Sequence, residues 1–271
     1  MMNKGYFASS NNNAYHVEGY KTTKLKYNKK QMSVLNIGML TAGLGFLYVA
    51  AIGFILEYAV FLPLGNEISQ VMLLSFASVG IIVGSIMSMI WAFRVHKASL
   101  AFGLITILIY TTAYGIGFGS LFAYLQQQFE NQGLLLIMSV FGIVGLIFIG
   151  TFAVVKLMSL KAFVTFSKIV MVASIFGFIA MMGLIIASIF LVGEAYRTIA
   201  IVVSVIGILM AVLFLAYDLW LAQNMDKFYV EEGMNAKMGL FIGFQILINL
   251  IMMLFYLLRL VALLADNRIG K

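Results

Sequence analysis

The stretch TIAIVVSVIGILMAVLFLAYDLWLA, Thr198 to Ala222, holds a single charged residue, Asp218. As a helix rising about 1.5 Å per residue it extends roughly 37 Å, more than the ~30 Å of hydrocarbon in a bilayer. A strand of an outer-membrane barrel would alternate polar and apolar side chains over about 10 residues, and this run does not alternate. Six more runs of the same kind fill the chain after residue 30: Ser33–Leu56, Ser69–Phe93, Ser99–Leu125, Leu134–Val155, Phe163–Val192 and Met238–Leu264. The expected fold is all-α, a polytopic integral membrane protein of seven transmembrane helices. Short loops make consecutive helices antiparallel neighbours.

Composition supports this class. Of 271 residues, 63% are hydrophobic and 10% charged, with one proline. A water-soluble globule built from them would expose large apolar patches. Residues 1–30 differ in kind: Ser9, Ser10 and Asn11 to Asn13 precede Lys21, Lys24, Lys26, Lys29 and Lys30, with no apolar core that could act as a signal peptide. They read as a basic, mobile cytoplasmic tail ahead of a membrane domain covering 31–271.

Loop charges orient the bundle. The tail and the connections carrying Arg94 and Lys97, Lys156 and Lys161 with Lys168, and Lys227 with Lys237 alternate with connections holding Glu57 and Glu67, Glu130, or Glu194 with Arg197. Basic loops stay in the cytoplasm, which places the N-terminus inside. The Lys- and Asn-rich tail, with no organellar signal, favours a bacterial plasma membrane.

Several activities are excluded by the residues at hand. There is no cysteine, and the two histidines, His16 and His96, lie outside the apolar runs, so no thiolate, haem or histidine metal centre can form in the spans. A Ser–His pair at depth and a Walker phosphate loop are both missing. The chain is therefore read as a non-enzyme with no resident cofactor and no nucleic-acid partner. Its surroundings are the lipid bilayer and ions, with calcium or protons as the permeant or regulatory species. No protein partner is legible.

Glycines read as packing devices. Gly80 with Gly84 and Gly239 with Gly243 are small-xxx-small pairs that let helix backbones approach closely, which suggests a central position for the last helix. Gly115, Gly117 and Gly119 together lower helix propensity enough to permit a kink.

Asp218 is the only carboxylate well inside a run, and an ionisable group at that depth is by default a functional hypothesis. Gln245 lies about as far from the inner end of the seventh run, and Asn249 follows one turn deeper on the same face. A hairpin of the last two helices thus sets a carboxylate against two carboxamides, oxygen ligands suited to a hard cation. The alternative is interhelical glue, a neutral hydrogen-bonded cluster with no traffic through it. Arg94, at the cytoplasmic end of the second run, and Arg259, toward the outer end of the seventh, are by default snorkelling anchors. Arg94 shares the cytoplasmic side with Asp218, and an ion pair between them would close a pathway.

The run Leu213 to Leu219 with its Tyr217–Asp218 pair, the ending Phe255 to Leu260 with Arg259 followed by Asp266, and the stretch Trp91 to Ala98 resemble the Bax inhibitor-1-like membrane proteins and their bacterial relatives. The resemblance implies six helices around a central seventh, and a pH-sensitive calcium leak controlled by two aspartates and locked by a basic residue of the second helix. By position these roles fall on Asp218, Asn249 and Arg94. Asn249 departs from the pattern: two close carboxylates share a proton, whereas an aspartate facing an asparagine has no like-charge coupling. The function expected is a passive leak for calcium or another cation through Asp218, Asn249 and Gln245, gated by Arg94, with Tyr217 and Arg259 in secondary roles. A small-solute permease and a non-transporting regulatory membrane protein stay open as alternatives.

Overall fold

In a computed structural model the described residues are 33–64, 72, 73, 75, 79, 80, 82–84, 86, 87, 89, 90, 99–129, 132–190, 193–225 and 234–269. The basic tail, Arg94 and Glu67 lie outside them. All regular structure among them is helical. Helix α1 (Val34–Leu56) continues through a π turn, Glu57–Phe61, to Leu62–Leu64; α2 is Leu100–Phe129, α3 Gly133–Lys156, α4 Leu160–Phe190, α5 Glu194–Asn224 and α6 Met234–Ile269. All six are long and apolar enough to cross a membrane.

Serines set three of the starts. Oγ of Ser33, Ser99 and Ser159 accepts from the backbone N–H three residues on, at 3.2 to 3.3 Å, before α1, α2 and α4. Each satisfies a donor the helix itself cannot.

Contacts between helices give their directions. Tyr48, Gly53 and Tyr58 of α1 meet Thr112, Phe122 and Gln126 of α2 in the same order, so α1 and α2 run parallel. The chain between them must therefore cross back. Its described residues from 72 to 90 are all helical, and they pass α2 in reverse: Leu73 packs with Ala123, Gly80 with Ala113 and Gly117, Gly84 with Tyr114. Six spanning helices among the described residues, together with this return, are consistent with the seven apolar runs of the sequence.

The last helix is central. α6 runs parallel to α1, with Gly239 and Gly243 against Val34, Ile37, Gly38 and Thr41 and with Leu247 against Gly45. It runs antiparallel to α5, where Gly207 receives the Tyr256 ring. Half of the apolar window is buried in α2 and in α6, against 11% in α4, which packs mainly on α5 and forms the periphery. The three-glycine cluster of α2 does not break that helix. Gly115 and Gly119 instead receive Ile52, Gly53 and Leu56 of α1.

One boundary differs from expectation. The first helix does not stop at Leu56, and Glu57 is not in a loop: it continues the buried stripe Val34, Gly38, Ala42, Gly45, Val49, Gly53 and ends up with no exposed surface.

Candidate functional site

Asp218 lies six residues before the end of α5, about 9 Å along the axis. Packing fixes that turn. Leu215, Leu219 and Trp220 are buried, and Trp220 stacks on Phe163 of α4 with ring centres 3.5 Å apart and planes 5° from parallel. Tyr217 packs on the same Phe163 ring at 5.4 Å, and the Trp220 indole N–H donates to the Met158 carbonyl. A carboxylate one residue from such anchors has little freedom of position.

Across from it, α6 is buried nearly all round by Phe244, Ile246, Leu247, Leu250 and Ile251. Asn249 is the buried polar residue in this stretch, and its Nδ2 donates to Asp218 Oδ2 at 2.7 Å. Among the described residues, Asn249 is the partner of Asp218, and no Lys or Arg reaches it.

The pair opens onto a cavity of about 640 Å³ between α4, α5 and α6. Gln245 lines it one turn before Asn249, so the structure brings Asp218, Asn249, Gln245 and Tyr217 to one place. Arg259, half-buried farther along α6, is not part of it. Two further residues belong to the wall: Ser167 and Ser174 of α4, seven apart on one helix face. Their hydroxyls donate to the carbonyls of Val164 and Val170, which leaves oxygen lone pairs for a guest. The signal for them in the sequence was two hydroxyls at two-turn spacing in an apolar run.

Chemically the lining offers one carboxylate, two carboxamides, two serine hydroxyls and the Tyr217 phenol against Val170, Met171, Phe214 and Ile248. Hard cations take such ligands, and affinity grows with the number of charged ones. Among the described residues no group of three or more His, Cys, Asp or Glu gathers to hold a metal. The arrangement suits brief, weak coordination rather than retention.

At the opposite end of the hairpin, the Arg197 guanidinium donates to the Leu263 carbonyl. The contact ties the first turn of α5 to the last quarter of α6.

No curated protein and no solved structure matches the chain. The model of one family, described as Bax inhibitor 1 like, matches residues 11–266. That span takes in every helix given above except the last three residues of α6, and it includes the polar hairpin of α5 and α6. By this match over nearly its whole length, the chain belongs to the Bax inhibitor 1 like family of membrane proteins.

Proposed function

We propose that the protein is a passive cation leak, not an enzyme, whose pathway runs through the cavity between α4, α5 and α6. The observation that carries this reading is a carboxylate on the wall of a membrane-embedded cavity, hydrogen-bonded to one amide and met by no Lys or Arg among the described residues. Burying an acidic group in hydrocarbon costs at least a few kcal/mol by insertion scales, so its retention at depth points to traffic of charge. Calcium, another metal cation or a proton is the species such oxygens accept.

The basic loops favour a cytoplasmic N-terminus, in a bacterial plasma membrane, with Asp218 toward the cytoplasmic side. In this reading Arg94 is the lock that pairs with Asp218 when the path closes. Asn249, where the resembling proteins carry a second aspartate, removes the like-charge coupling of a carboxylate pair. The pH response of the leak is accordingly expected to be shallow.

The test is flux of calcium, sodium and protons in proteoliposomes across a pH series. Parent protein is expected to leak cations without saturation, and Asp218→Asn to lose its dependence on pH and calcium. Identical leaks from parent and variant would remove Asp218 from the pathway. Saturable uptake of a solute would favour a permease. An absence of flux, with the fold intact, would leave the Asp218–Asn249 bond as interhelical glue.

A further inference from the structure

Glu57 is a second membrane-embedded carboxylate, and nothing above uses it. It opens the π turn of α1, where its backbone N–H reaches both Gly53 and Phe54 carbonyls and its own carbonyl accepts from Leu62, five residues on. Such widened turns occur disproportionately at functional positions. The side chain has no exposed surface, and neither carboxylate oxygen has a hydrogen-bond partner among the described residues.

The register of α1 on α6 gives its depth. Gly38 lies by Gly239 and Gly243, and Gly45 by Leu247, so Glu57 falls level with the turn of Arg259. That is ten residues, about 15 Å of helix, beyond Asn249. Among the described residues, the titratable groups at this level are Tyr58, next to Glu57 in the chain, Tyr124 on α2, and Tyr256 and Arg259 on α6. No described hydrogen bond or ion pair joins any of them to Glu57.

An anion so placed lacks the dipoles and cations that would replace its water, so the group must bring its own counter-charge. We infer that Glu57 is a proton-binding site, on the half of the membrane away from Asp218. The inference is independent of whether Asp218 conducts.

Infrared difference spectroscopy on the full-length protein in liposomes tests it without any flux measurement. Parent protein is expected to show a protonated-carboxyl carbonyl band that shifts on transfer to D2O and shrinks as pH is raised. The band should persist in Asp218→Asn and vanish in Glu57→Gln, a near-isosteric change whose thermal unfolding serves as the folding control. A band missing from the parent, indifferent to both D2O and pH, or retained in folded Glu57→Gln would overturn the assignment.

Discussion

Gly243→Ala should loosen the joint between the first and last helices. A Cβ at this position would sit 2.6 Å from the Gly38 carbonyl oxygen, 2.7 Å from Thr41 Cβ and 2.9 Å from Gly38 Cα. Ordinary contact begins at 3.4 Å, so the nearest atom is about 0.8 Å too close, and it belongs to backbone rather than to a flexible side-chain end. The helices must separate along a seam where Gly38, Gly239 and Gly243 all approach the opposing helix. Gly43→Ala is the matched control: it is also in a membrane helix, but nothing lies within 4 Å of its Cβ. Both changes gain the same helix propensity, about 1 kcal/mol, which cancels in the comparison. What remains is the overpacking cost, about 1–3 kcal/mol, or a midpoint roughly 2–12 °C lower for Gly243→Ala in detergent thermal unfolding. Equal midpoints for the two variants would refute the close backbone approach of α1 and α6.

Asn249→Leu strips Asp218 of its hydrogen-bond donor and should cost about 1–3 kcal/mol of stability, read as a lowered midpoint; the same change in an Asp218→Leu background should cost much less. Ser174→Leu extends an apolar side chain into the cavity and should cut cation flux while leaving the unfolding midpoint near that of the parent. Flux unchanged in that variant would argue that the route avoids the α4 wall.

Much of the architecture was readable before any coordinates. The run Leu134–Val155 anticipates α3, Gly133–Lys156, within a residue at each end, because apolar length is set by bilayer thickness. The gathering of Asp218, Gln245 and Asn249 was legible from residue counting in an antiparallel hairpin, but that count set Gln245 level with Asp218, whereas the structure gives the hydrogen bond to Asn249 one turn deeper. Glu57 was missed because an acidic residue ending an apolar run looks like a boundary. Its signal was spacing: it stands four residues after Gly53, in line with a buried stripe that begins at Val34. Ser167 and Ser174 were hidden for another reason, as helix serines satisfy themselves on the preceding turn and so carry no visible demand for a partner. The parallel seam of α1 and α6 was hinted at by Gly239 and Gly243, but which helix they met depends on tertiary packing that no local pattern encodes.

That seam has a consequence for biogenesis. A nascent chain enters the bilayer from its N-terminus onward, so the glycine face of α1 waits without its mate through the synthesis of every intervening segment. Until the last helix is released from the ribosome, the centre of the molecule is vacant, and a prematurely stopped chain would carry a permanently bare groove for membrane quality-control proteases to find.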